Sequence, residues 1–192
     1  MDTKMLLYIA IAAVIVIVVA ALLVMRKRRS DQLKQRFGPE YDRAVLQHGD
    51  ARHAEAVLAD RTKRVEEFAI HPLPAGDRDR YAEEWAGVQR RFVDDPSMAV
   101  TQADKLVTKV MIARGYPMSD FEQRTADISV NYPGVVQNYR SARDIVVRHS
   151  QGQSTTEDLR QAMVYFRSLF DELLDSSPKT EKIGVTHERI AS

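Results

Sequence analysis

Cysteine is absent from this 192-residue chain, which excludes disulfide staples, thiolate nucleophiles, Cys-ligated zinc, iron–sulfur clusters and a lipid-modified N-terminal cysteine. Glycine is scarce, at 8 residues, and the patterns G-x-x-x-x-G-K-[ST], G-x-G-x-x-G and G-x-S-x-G do not occur. The chain therefore encodes neither a phosphate-cradling loop nor a nucleophile elbow. An excess of one sign of charge is missing too, since 28 Lys and Arg stand against 27 Asp and Glu. That balance averages two unlike parts. Residues 1–29 carry five cations (Lys4, Arg26, Lys27, Arg28, Arg29) and one anion (Asp2), which leaves 23 cations and 26 anions, a net −3, for the remaining 163 residues. A mildly acidic body without a basic stripe argues against a nucleic-acid module. Alternating apolar strands are lacking as well, and nothing repeats at the period of roughly 20 to 50 residues that marks a solenoid of recognisable units.

What is present first is an apolar run. Met5 to Met25 reads MLLYIAIAAVIVIVVAALLVM, without a charge, a Gly or a Pro, and as a helix it would extend about 30 Å, one bilayer crossing. A cleaved secretory signal has an apolar stretch of only ~7 to 15 residues ending in a small-residue cleavage site. Here the run is longer and abuts Arg26, Lys27, Arg28 and Arg29 directly. These features predict an uncleaved transmembrane helix over 5–25, behind a short tail at 1–4. The cations after the span outnumber Lys4 before it, so the positive-inside rule predicts the N-terminus outside and the following domain in the cytoplasm. Arg26–Arg29 read as a topology signal or as a contact for anionic lipid.

Beyond a basic juxtamembrane linker at 26–37, apolar residues recur at three- and four-residue spacing, so the fold class is predicted as all-α. About six to seven helices of an antiparallel bundle-like domain are expected over 38–175. Gly38-Pro39 opens the first, with Tyr41, Ala44 and Val45 on one face, and Gly49 ends it. Asp50 caps the second, which carries Ala54, Leu58, Val65 and Phe68 and stops before His71-Pro72-Leu73-Pro74, the best candidate for an internal break. Tyr81, Trp85, Val88 and Phe92 share a side of a helix over 77–93. Asp95 caps the next helix with Pro96 at its first position, Val100, Ala103, Leu106, Val107, Val110 and Met111 inside, and Gly115 past its end. Ser119 with Glu122, and Ser154 with Glu157, fit reciprocal capping boxes for two more helices, separated by one over 134–150. In the last, Leu159, Met163, Phe166, Phe170 and Leu173 make a seam of two heptads. The polar stretch 176–192 lacks an apolar face and reads as a disordered tail.

Chemistry is thinly represented. His48, His53, His71, His149 and His187 include no i, i+4 pair, so neither a metal nor any other cofactor is expected. The acidic pairs Glu66-Glu67, Glu83-Glu84 and Asp94-Asp95 point to different faces of their helices and read as solvated faces or a cap. The segment from Arg114 to Arg124 concentrates a cation, two aromatics, a methionine and further charges at one interhelical corner. Arg114, Tyr116, Phe121 and Arg124, extended by Tyr132, suit a protein partner surface, while the same residues also suit the covering of helix ends.

The stretches RFGPEYDRAV at 36–45, RRFVDDP at 90–96, RGYPMSDFEQRTADISV at 114–130 and STTEDLRQAMVYFRSLFDELL at 154–174 resemble a group of bacterial single-pass, membrane-anchored helical proteins carried as hypothetical or secreted proteins. The resemblance covers residues 36–174 and implies bacterial origin with one span followed by a helical domain. It implies no activity and no functional residue. Together these readings predict an interaction or scaffold domain on the bacterial inner membrane, not an enzyme. Its partners would be the lipid bilayer and an unidentified protein, without nucleic acid, and a homo-oligomer stays open. The alternatives are a small membrane-tethered hydrolase using dispersed carboxylates and a membrane-surface sensor.

Overall fold

The computed structural model describes residues 3–175, with side chains from residue 11 onward, so the predicted tail at 176–192 lies outside the described residues. Among them are eight α-helices and no strand: α1 Thr3–Phe37, α2 Pro39–His48, α3 Ala51–Glu66, α4 Ala75–Asp94, α5 Pro96–Ala113, α6 Phe121–Asn131, α7 Val136–Ser150 and α8 Thr156–Asp175. The all-α expectation and its bundle-like packing hold.

The chain divides between Thr62 and Lys63 into two compact units. In the first, Gly38 takes φ 48° and Gly49 φ 83° at the two ends of α2, with Pro39 at the first helical turn. The Asp50 carboxylate accepts the His53 amide at 2.9 Å at the start of α3, as an N-cap should. Phe37, Tyr41, Ala44, Ala54 and Leu58 are buried. Tyr41 donates its hydroxyl to Glu55 at 2.9 Å, and the Lys34 ammonium lies 5.3 Å from the Tyr41 ring.

In the second unit α7 packs on α8, α4 on α5, and α5 on α8. One core runs through it, including Trp85 of α4, Val107 and Val110 of α5, Ile128 of α6, Tyr139 of α7, and Phe166 and Phe170 of α8. The Trp85 and Phe170 rings stack at 4.7 Å, and Tyr139 meets Phe166 edge-on at 6.0 Å. Every apolar position predicted for α5 and for the α8 seam is buried, because a wide apolar stripe at helical period has no other place to go.

Three expectations need correction. Both caps sit one residue later than Ser119 and Ser154, and only the second is a reciprocal box. Asp120 accepts the Gln123 amide at 2.8 Å. Thr155 accepts the Asp158 amide at 3.1 Å while Asp158 accepts the Thr155 amide at 2.8 Å. A carboxylate caps as well as a hydroxyl, so spacing alone did not separate adjacent candidates. The helix expected to carry Phe68 ends at Glu66. Finally, the unit boundary falls inside α3 and not at 71–74, because that Pro-containing stretch is strapped to the second unit: the His71 amide donates to the Arg114 carbonyl at 3.0 Å, and Phe68 and Ile70 pack against the core.

Candidate functional site

Two regions depart from ordinary core and surface. The first is α1. From Val14 to Val19 and from Leu22 to Met25 every residue other than the alanines is a large apolar side chain about half exposed or more, reaching 66% at Val16, Ile17 and Met25. Successive residues on a helix are about 100° apart, so exposure at six consecutive positions means that α1 is uncovered on all faces between Val14 and Val19. Arg26, Lys27, Arg28 and Arg29 follow, all exposed. Among the described residues, no helix is long and apolar enough to cross a membrane.

The second region is the corner between α5, α6 and α8, where the partner surface was expected. The structure buries its central members. Arg114 is 0% exposed, Tyr116 3% and Tyr132 6%, so these three form no exposed patch and the reading of them as a partner surface is corrected. α5 ends in a Schellman motif: the Tyr116 amide donates to the Met111 carbonyl at 3.1 Å and the Gly115 amide to Ile112 at 2.9 Å, with Gly115 at φ 96°. This turn sends the Arg114 side chain inward, where its guanidinium donates to the Leu173 carbonyl in the last turn of α8 at 2.6 Å and lies 5.9 Å from the Tyr132 ring. A cation there meets the negative end of the α8 dipole. Tyr116 accepts from Asn131 at 2.8 Å, and burial pushes its hydroxyl well above the ordinary tyrosine range. Asp127, also buried, pairs with Arg64 and accepts from Gln123 at 3.1 Å.

Phe121 and Arg124 are half-buried and belong to a separate cluster. Arg124 donates to the Thr108 hydroxyl at 2.6 Å, Arg143 donates to Asp104 at 3.0 Å and lies 5.8 Å from the Phe121 ring, and that ring tilts against Tyr139 at 5.2 Å. Burial pushes the Asp104 carboxyl above its ordinary value, against the pull of Arg143 and Arg124, and raises the Tyr139 hydroxyl to about 12. A carboxyl that holds its proton more tightly folded than unfolded gives stability that falls as pH rises from 3.8 through the raised value. Asp104→Asn is expected to flatten that part of the stability profile in urea titrations from pH 3.5 to 7; an unchanged slope would contradict the burial-dominated account.

Two further arrangements carry chemistry that sequence spacing did not reveal. His149 bridges two hydroxyls, Ser97 at 2.7 Å from Nε2 and Ser154 at 2.8 Å from Nδ1. Hydroxyls both donate and accept, so this clasp joins the starts of α5 and α8 to the end of α7 with either ring tautomer. The residues stand 52 apart in sequence, too far for any local motif. Between α4 and α5 lies an open groove of about 400 Å³ lined by Glu84, Gly87, Arg91, Gln102, Lys105 and Lys109 among others. Its single carboxylate, Glu84, is held by Lys109 at 2.8 and 2.9 Å. No group of three His, Asp or Glu among the described residues is arranged to hold a metal ion. Comparison with known proteins finds no matching family model, curated protein or solved structure.

Proposed function

We propose that this chain is a single-pass protein of the bacterial inner membrane, held by 5–25 with its N-terminus outside, whose cytoplasmic helices serve as a non-enzymatic interaction or scaffold module. The observation that carries the anchoring is the bare apolar surface of α1. Eleven large apolar side chains between Ile11 and Met25 are 48% exposed or more. Leaving them in water would cost on the order of 10 kcal/mol, comparable with the whole stability of a small domain. Something must cover them. A partner helix would cover one stripe, whereas an all-round apolar helix ending in four cations matches lipid.

Two features support a module over a hydrolase built on dispersed carboxylates. The buried Asp127 and the half-buried Asp104 are each tied to an arginine, and the groove between α4 and α5 offers one carboxylate already bound by Lys109. General acid–base work needs a convergent pair with a free proton site.

The absence of cysteine allows a direct test of topology. Asp2→Cys is expected to react with a membrane-impermeant maleimide in intact cells, and Asp175→Cys only after permeabilisation. Labelling of Asp175→Cys in intact cells would overturn the orientation.

A further inference from the structure

The collar where the apolar helix meets the folded part of the chain has a specific geometry. Arg26, Lys27, Arg28 and Arg29 are consecutive on one unbroken helix, Thr3–Phe37, and at about 100° per residue they point around roughly 300° of its circumference. All four are exposed, and among the described residues none makes an ion pair. Asp31, placed for an i, i+3 or i, i+4 bridge to Arg28 or Lys27, does not take it. Elsewhere surface cations do pair: Arg80 with Asp77, Lys109 with Glu84, Arg160 with Glu157 and Arg167 with Asp171. One residue past the collar the chain enters its folded part. Ser30 is half-buried and its hydroxyl lies 3.4 Å from that of Tyr41, and Lys34 lies over the Tyr41 ring.

From this juxtaposition we propose that Arg26, Lys27, Arg28 and Arg29 form a binding collar for the phosphates of anionic phospholipids, drawing such lipids around the helix on the side of the folded domain. The proposal rests on the anchoring reading above, because only a helix spanning lipid brings the collar to headgroup level. Three of the four are arginines, whose planar forks take phosphate oxygens two at a time. Among the described residues no carboxylate pairs with them. The rest of the chain, with 23 cations and 26 anions after residue 29, supplies no net attraction to an anionic surface, so lipid selection falls to the collar. Each cation near such a surface contributes roughly a fivefold preference at low salt.

The test uses the full chain reconstituted into phosphatidylcholine vesicles containing a minor fraction of phosphatidylglycerol, with spin-labelled versions of the two lipids compared by electron paramagnetic resonance. Because lipid on both leaflets is sampled, a mixed orientation after reconstitution does not blur the reading. The wild type is expected to immobilise labelled phosphatidylglycerol several-fold more than labelled phosphatidylcholine, with the preference shrinking as salt is raised. The variant Arg26→Gln, Lys27→Gln, Arg28→Gln, Arg29→Gln is expected to immobilise both lipids equally while remaining in the vesicles. Equal immobilisation by the wild type, or an undiminished preference in the variant, overturns the collar and leaves the anchor standing. A wild type stripped from the vesicles by alkaline wash overturns the anchor, and the collar with it.

Discussion

Placing alanine at Gly115 is expected to cost the second unit about 3 to 5 kcal/mol, enough to unfold much of it at room temperature. Two independent effects add. Gly115 has φ 96°, a left-handed conformation that an L side chain occupies at about 1 to 2 kcal/mol. The new Cβ would also lie 2.3 Å from the Ala69 carbonyl oxygen and 2.9 Å from its carbon. Those are backbone atoms, unable to swing aside like the end of a long side chain. The neighbouring bond from the His71 amide to the Arg114 carbonyl would have to break or stretch to make room. Urea unfolding followed by near-ultraviolet circular dichroism, sensitive to the buried Trp85, gives the measurement. A loss below about 1 kcal/mol would mean that the 67–74 stretch yields freely and is not strapped to the corner.

Truncating Arg114 to alanine is expected to be comparably severe, at about 3 to 4 kcal/mol. The side chain is fully buried, so its removal leaves a cavity and deprives the Leu173 carbonyl of its 2.6 Å donor. Arg114→Met separates the two contributions. Methionine restores most of the volume without the charge, and replacing a buried cation with a shape-matched apolar group often costs little. Arg114→Met is therefore expected to recover at least half of the loss in the same urea titration. If Met proves as damaging as Ala, the charge-assisted bond to α8 dominates. If neither variant is destabilised by more than about 1 kcal/mol, the corner is not the junction the structure makes it.

The same corner shows where sequence reasoning reaches its limit. Helix periodicity reported which residues are inside, and Tyr81, Trp85, Val88 and the α5 and α8 stripes are all buried. Gly38-Pro39, Gly49, Asp95 and Gly115 marked helix ends because local backbone chemistry decides them. Arg114 was another matter. An arginine beside tyrosines and a methionine has the composition of an interface whether it faces solvent or the interior, and only the direction imposed by the Schellman turn turns it onto the end of α8. Long-range pairings were equally hidden. Asp127 meets Arg64 across 63 residues and Ser97 meets His149 across 52, and nothing in residue spacing along the chain encodes such distances. The apolar run of α1 was legible because its length and flanks are themselves the signal.

That run also carries the central claim, and alkaline extraction tests it most directly. Membranes from cells making the full chain are washed with carbonate at high pH, alongside the variant Ile15→Asp, Val18→Asp. Each aspartate at the middle of a span costs about 2.5 to 3.5 kcal/mol of insertion free energy. The wild type is expected to stay with the membrane pellet and the double variant to move to the supernatant. Recovery of the wild type in the supernatant, or retention of both, would contradict anchoring through 5–25.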